Sequence, residues 1–172
     1  MCTYPIIWLF GRPCSGKSTL SQHLKHYIIK KYDMCHILDG DDFRSVNNTS
    51  DKFSLEDRRK NLVKAAGLAK AYSFNLPVIC SFISPTQSIR EEIRAILSPC
   101  LTKYIYVYSS IETCIARDVK GMYKKALLGE ITDFTGISSP FDEPMFYDTK
   151  LNTEALTVDD CIRKILQVID YY

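Results

Sequence analysis

Residues 11–18 constrain the fold more than any other part of the sequence, because they spell G-x-x-x-x-G-K-S. The glycines of this pattern allow a tight turn whose backbone N–H groups surround phosphate oxygens, and the lysine reaches the terminal phosphates. An apolar run, residues 6–10, precedes the pattern, and residues 17–31 follow it with helical periodicity. This order of elements predicts a strand, a phosphate-binding loop and a helix.

The loop is expected to bind ATP together with Mg²⁺, the latter through the hydroxyl of Ser18. Pro13 removes one backbone N–H from the loop, and Cys14 stands where a third glycine is common; we expect phosphate binding to survive both changes. Cys14 is either a reactive thiol, because it lies beside a helix N-terminus, or an inert small residue. The predicted phosphate contacts come from Gly11, Arg12, Pro13, Cys14, Ser15, Gly16, Lys17, Ser18 and Thr19.

Short apolar runs alternate with longer helical segments along the rest of the chain, which predicts an α/β fold with a parallel sheet. The expected strands are residues 6–10, 35–38, 77–81 and 104–108, and the expected helices are residues 17–31, 54–72, 89–97, 111–117 and 157–169. Residues 120–136 are basic, contain glycines and show no clean period, so we predict a mobile lid there. We therefore expect a single P-loop NTPase-type domain over residues 1–172, with helices on both faces of the sheet.

Composition excludes several other classes of protein. The formal net charge is only +2 and the basic residues are dispersed, which argues against binding a nucleic-acid polymer. No apolar stretch approaches the length of a membrane span, so no membrane partner is expected. Seven cysteines without a C-x-x-C pair indicate reduced thiols and a cytoplasmic location. The sequence does not fix the oligomeric state, and a homodimer is compatible with it.

An acidic turn follows the second predicted strand. Asp39 and Asp41 should project from the carboxyl edge of the sheet, on the same rim as the phosphate loop. A carboxylate there can hold Mg²⁺ or accept the proton of an attacking hydroxyl. Arg44, three residues further on, can pair with an anionic acceptor.

Five ordered motifs resemble the adenylylsulfate kinase family. They are L-D-G-D-D-F-R at residues 38–44, F-S-L-E-D-R-R-K-N at residues 53–61, F-I-S-P at residues 82–85, R-D-V-K-G-M-Y-K-K-A at residues 117–126 and F-T-G-I at residues 134–137. The resemblance implies transfer of the ATP γ-phosphoryl group to the ribose 3′-hydroxyl of adenosine 5′-phosphosulfate, with Mg²⁺ as cofactor. It also extends from about residue 6 to the C-terminus.

The resemblance further implies roles for individual residues. Asp41 would act as the base toward the 3′-hydroxyl and Asp39 would support Mg²⁺ with Ser18, although the two aspartates could exchange roles. Arg117 would lie against the ATP adenine, and the lid lysines, Lys120 among them, would close over the phosphates. The acceptor-binding residues would be Arg44, Phe53, Arg58, Asn61, Ile83, Ser84, Lys124 and Phe134. Ser84 stands at the position of a phosphoserine intermediate in the family, but no neighbouring base activates it, so we expect direct transfer.

Departures from the family pattern leave alternatives for the acceptor. They include the loop residues 12–14, Val119, residues 75–76 and Ser81. A related kinase of a surface-polysaccharide pathway, acting on a cytidine diphosphate derivative, would keep most of the same motifs. A non-catalytic nucleotide-binding module would be expected to lose at least one member of a set of five residues: Lys17, Ser18, Asp39, Asp41 and Arg44. A kinase for a sugar or a shikimate-like acceptor would not need the two aromatic residues and F-T-G-I.

Overall fold

Five parallel strands form one sheet in the order β2-β3-β1-β4-β5. The structure, a computed structural model, describes residues 2–46 and 54–169. The strands are β1 (Ile6–Phe10), β2 (His36–Asp39), β3 (Val78–Phe82), β4 (Thr102–Tyr108) and β5 (Thr149–Asn152). The parallel sheet predicted from the sequence is confirmed.

Helices cover both faces of this sheet. They are α1 (Lys17–Tyr32), α2 (Gly40–Val46), α3 (Leu55–Tyr72), α4 (Gln87–Leu97), α5 (Ile111–Arg117), α6 (Met122–Leu127) and α7 (Val158–Ile169). Alternate residues of β1 point to opposite faces. Trp8 and Phe10 pack in a core with α3 and α4, whereas Ile7 and Leu9 pack in a second core with α1 and α7. The fully buried β1 thus holds the phosphate loop at its carboxyl end.

Side-chain caps define the start of α3 and α7. Ser54 accepts a hydrogen bond from the backbone N–H of Asp57 at the start of α3. Thr157 accepts one from Asp160 before α7. Such caps satisfy donors that the first turn of a helix leaves free.

Three segments differ from the prediction. Residues 40–46 form helix α2, whereas we expected an acidic turn there. Strand β5 was not predicted at all; its sequence, T-K-L-N, has one buried apolar residue, Leu151, and no apolar run. The predicted lid, residues 120–136, contains helix α6 and buries Tyr123 and Phe134 in a small third core. Whether the lid moves stays a prediction.

The cysteines require a correction. Cys2 and Cys100 form a disulfide, although we expected reduced thiols throughout. The pairing of β1 with β4, which aligns Ile6 with Thr102, brings together the residues that precede these two strands. An odd number of cysteines therefore did not exclude one bridge. The other five are free thiols: Cys14, Cys35, Cys80, Cys114 and Cys161. Within the described ranges, no helix is long and apolar enough to span a membrane.

Candidate active site

A cavity of about 640 Å³ opens at the carboxyl ends of the central strands. This is the edge at which ligands bind in open α/β sheets. Many of the predicted site residues line it: Pro13, Cys14, Gly16, Lys17, Ser18, Thr19, Asp39, Asp41, Arg44, Arg58, Ile83, Arg117 and Phe134. The phosphate loop, the acidic segment and part of the predicted acceptor side therefore share one cavity.

The phosphate loop has a backbone shape that side chains would disturb. A Cβ atom on Gly11 would lie 2.1 Å from the carbonyl oxygen of Val107, so only glycine fits beside β4. Gly16 has φ +102°, and Cys14 has φ +58°, in the left-handed region that glycine enters most easily. The structure thus explains why a third glycine is common at the position of Cys14.

Lys17 folds back into the loop. Its Nζ donates hydrogen bonds to the carbonyl oxygen of Arg12 at 2.6 Å and to Oγ of Ser15 at 3.4 Å. The side chain is only 8% exposed, and burial lowers the pKa of Lys17 to about 8. The ammonium group therefore lies within the loop, where a bound phosphate would neutralise its positive charge.

Ser18 and Asp39 form a pair suited to Mg²⁺. Ser18 Oγ donates a hydrogen bond to Oδ2 of Asp39 at 2.7 Å, and both residues line the cavity. Hydroxyl and carboxylate oxygens are the hard ligands that Mg²⁺ prefers, and Mg²⁺ needs only one or two of them beside phosphates and water. The chemistry of this pair therefore fits the ion.

Asp41 lies two residues after Asp39, beside two positively charged side chains. Its backbone N–H donates to Oδ1 of Asp39 at 3.0 Å, and its carboxylate pairs with Arg44 and Lys120. Burial raises the pKa of the Asp41 carboxyl, but the hydrogen bond from Lys120 and the charge of Arg44 outweigh it, so the pKa lies below its usual value. The carboxylate is thus ionised at neutral pH. The lid lysine that contacts it, Lys120, bonds to Asp41 and not to the phosphate loop.

On the acceptor side, Arg58 joins α3 to the end of the lid. Its guanidinium donates to Oγ1 of Thr135 and to the carbonyl oxygen of Asp133, each at 2.5 Å. Burial lowers the pKa of Arg58 to about 10, which still leaves it charged. Phe134, the residue between Asp133 and Thr135 in the sequence, packs edge-on against Tyr123 and lines the cavity.

The remaining acceptor residues are less well placed. Phe53 lies outside the described residues, so the aromatic pair predicted for the acceptor base is described only for Phe134. Asn61 is half-buried on α3, and Lys124 is exposed on α6. Neither belongs to the described lining of the cavity.

Ser84 is buried away from the cavity. It is 0% exposed, and its Oγ accepts a hydrogen bond from Nε1 of Trp8 at 3.1 Å. The adjacent Ile83 does line the cavity, and its carbonyl oxygen accepts a hydrogen bond from the N–H of Gly11. The structure therefore assigns the Ser84 side chain to the support of β1. The backbone contacts to the acceptor that we expect from Ile83 and Ser84 stay a prediction.

Ser84→Ala should retain turnover, with kcat within about tenfold of wild type. The unpaired Trp8 N–H should instead lower stability by about 1–3 kcal/mol. Steady-state rates and thermal melting test both parts, and a pulse–chase with labelled ATP tests for phosphoprotein. Labelled enzyme that passes its label to the acceptor at the turnover rate would contradict direct transfer.

Two features of the ATP side escaped the sequence analysis. Thr153, directly after β5, donates from Oγ1 to the carbonyl oxygen of Ser15 at 2.9 Å. Arg117 donates to Thr153 at 3.0 and 2.8 Å, so the two residues together hold the back of the loop. Thr153 carried no signal because β5 was not recognised. The other feature is the Arg12 side chain, whose guanidinium lies 4.7 Å from the centre of the Phe141 ring. The phosphate contact of Arg12 stays a prediction.

A parallel sheet in this strand order, with the phosphate loop after β1 and two carboxylates at the carboxyl end of β2, defines a P-loop phosphotransferase. The family model for adenylylsulphate kinase matches residues 4–152. The chain belongs to the adenylylsulphate kinase family and is an ATP-dependent phosphotransferase.

Relatives and solved structures agree with this assignment. The chain is 36% identical over 166 residues to an adenylyl-sulfate kinase of Geotalea uraniireducens, covering 96% of this chain and 80% of the relative. It is 37% identical over 165 residues to one of Bacteroides fragilis, covering 95% and 82%. The fold matches the Mycobacterium tuberculosis APS kinase CysC, solved in complex with AMPPNP and APS, with a TM-score of 0.91 at 27% identity and 99% coverage of both chains.

Proposed function

We propose that this protein transfers the γ-phosphoryl group of ATP to the ribose 3′-hydroxyl of adenosine 5′-phosphosulfate. The bond between the γ-phosphorus and the bridging oxygen of ATP breaks, and a bond from the 3′-oxygen to that phosphorus forms. The hydroxyl proton passes to a carboxylate, and the products are ADP and 3′-phosphoadenosine 5′-phosphosulfate. Membership of the family and the architecture of the cavity support this proposal.

One observation carries the proposal beyond ATP binding. The phosphate loop, the Asp39–Asp41 segment and a basic and aromatic group, Arg44, Arg58 and Phe134, line the same cavity. A nucleotide acceptor needs this combination, because arginines bind its anionic groups and an aromatic face stacks on its base. Lys17, Asp39 and Asp41 are all retained, which argues against a non-catalytic module.

Each part of the cavity then has a chemical role. Backbone N–H groups of the loop and the Lys17 ammonium neutralise charge that develops on the transferring group. Ser18 and Asp39 would hold Mg²⁺, which would supply positive charge to stabilise the transferring phosphoryl group. Asp41 accepts the proton of the 3′-hydroxyl, for which Lys120 or Arg44 must yield one carboxylate oxygen. Arg117 and Thr153 support the loop from the adenine side.

The acceptor is held at its two ends in this proposal. Burial is the larger cause of the lowered pKa of Arg58. The positive charge of the nearby Arg44 lowers this pKa further. Two cations kept close together indicate an anionic ligand between or beside them. Phe134 would stack on the adenine, with Phe53 as the predicted second face. The contact of Arg58 with Thr135 and Asp133 would couple acceptor binding to the lid.

A purified-protein assay with Mg²⁺ATP and a panel of nucleotide acceptors tests the substrate. We expect adenosine 5′-phosphosulfate to exceed a cytidine diphosphate derivative by about tenfold or more in kcat/KM, because a pyrimidine loses stacking area and the tenfold corresponds to about 1.4 kcal/mol. Mass spectrometry of the products should show a 3′-phosphate. Preferential turnover of the cytidine compound would contradict the proposed acceptor and leave the phosphotransferase assignment standing.

We further propose that the protein is cytoplasmic and forms a homodimer. Neither proposal affects the outcome of this assay.

A further inference from the structure

Ser81 is a buried polar residue that the mechanism above does not use. It lies in β3, is 3% exposed, and lines the cavity. Its Oγ has no hydrogen-bond partner in the described part of the chain. A buried hydroxyl without a partner is unfavourable, so such an atom in a binding cavity indicates a partner that arrives with the ligand.

The strand register shows where this hydroxyl points. Ile79, two residues earlier in β3, packs in the core beneath α1 and α7, and Ser81 must share that face. Ser81 is aligned with Asp39 on β2 on one side and with Leu9 on β1 on the other. The hydroxyl therefore lies on the face where α1 begins, beside the carboxylate that bonds to Ser18.

This place matches a specific need of a bound Mg²⁺ ion. Mg²⁺ is reluctant to lose water and usually keeps several water ligands beside phosphates and one or two protein oxygens. A water bound to the ion has its lone pair committed, so it donates hydrogen bonds and needs acceptors. Asp39 supplies one kind of acceptor, and a serine oxygen is another.

We propose that Ser81 is a positioning residue for Mg²⁺: its Oγ accepts a hydrogen bond from a water ligand of the ion held by Ser18 and Asp39. This inference rests on the proposed binding of Mg²⁺ATP at the same site. Ser81 touches neither the transferring phosphoryl group nor the acceptor. Its effect therefore belongs to the part of nucleotide affinity that depends on the metal.

Calorimetric titration with the ATP analogue AMPPNP, in excess MgCl₂ and separately in EDTA, measures that part directly. The ratio of the two dissociation constants is the gain in affinity from the metal. Ser81→Ala should reduce this gain about three- to tenfold and leave binding in EDTA unchanged, as expected for one hydrogen bond. Ser81→Thr, which keeps a hydroxyl on a β-branched residue suited to a strand, should restore most of the gain.

Ser73→Ala is the matched control. Ser73 is equally buried, but its hydroxyl donates to the carbonyl oxygen of Lys70 outside the cavity. This variant should keep the metal gain while losing thermal stability, whereas Ser81→Ala should melt no lower than wild type without ligand.

An unchanged metal gain in Ser81→Ala would overturn the proposal, as would equal losses of affinity in MgCl₂ and in EDTA. Wild-type protein that binds AMPPNP tightly but shows no metal gain would overturn the Ser81 inference alone. Wild-type protein that binds no AMPPNP under either condition would overturn the proposed function as well.

Discussion

Lys17→Ala should lower kcat/KM by about 10³-fold or more and leave the fold intact. The Lys17 ammonium lies inside the phosphate loop, and in the proposed reaction it stabilises charge that grows as the phosphoryl group leaves ADP. Removing a single preorganised donor of this kind typically costs about 10²–10³ in kcat, and weaker nucleotide binding adds to that loss. Coupled assay of ADP release with adenosine 5′-phosphosulfate measures the effect.

The fold should survive because Lys17 is a buried cation whose direct partners among the described residues are a carbonyl and a hydroxyl oxygen. Removing such a cation relieves a desolvation cost, so the melting temperature of the variant should not fall. The matched control is Lys30→Ala, which removes an exposed lysine in the last turn of the same helix and should keep full activity. Near-normal kcat in Lys17→Ala would remove the central role given to the phosphate loop.

The fold could be predicted where local pattern and tertiary structure agree. β1 is apolar throughout, as expected for a strand with both faces buried. The start of α3 is marked by Ser54, which caps the helix through a local hydrogen bond. β5 was missed because it is an edge strand whose pairing with β4 supplies what its sequence lacks. Helix α2 was missed because a turn and a seven-residue helix share the same acidic, cap-like residues.

The candidate site could be predicted from motifs only to the level of which residues are near the cavity. The spacing in the phosphate loop placed Lys17 and Ser18, because a loop between a strand and a helix has few conformations. It could not show that Arg12 turns toward Phe141, since that contact joins residues 129 positions apart. Nor could it show that the Ser84 hydroxyl accepts a hydrogen bond from Trp8, 76 positions away.

The two carboxylates at the carboxyl end of β2, Asp39 and Asp41, are chemically alike in sequence, but the structure gives them different neighbours. Asp39 bonds to Ser18 of the phosphate loop, whereas Asp41 bonds to Arg44 and to Lys120 of the lid. A carboxylate beside the loop hydroxyl is suited to a metal ion. A carboxylate that faces the arginine proposed for the acceptor is suited to meet the acceptor hydroxyl.

Asp41→Asn should therefore lower kcat by about 10²–10⁴-fold, because the amide cannot accept the proton of the 3′-hydroxyl. Binding of Mg²⁺AMPPNP should change only a few-fold, since the ion pairs that Asp41 makes are solvent-exposed and weak. Asp42→Asn, which removes the same charge one residue along α2, is the control and should keep most of the activity.

Asp39→Asn separates the two roles through the metal. Its loss of activity should shrink as MgCl₂ is raised, because a weakened ligand can be offset by mass action, whereas no concentration of Mg²⁺ supplies the missing base in Asp41→Asn. The measurement is kcat/KM for ATP across a Mg²⁺ titration in both variants. If raised Mg²⁺ rescues Asp41→Asn and leaves Asp39→Asn inactive, the roles are reversed: Asp39 is then the base, and Asp41 lies in the metal shell.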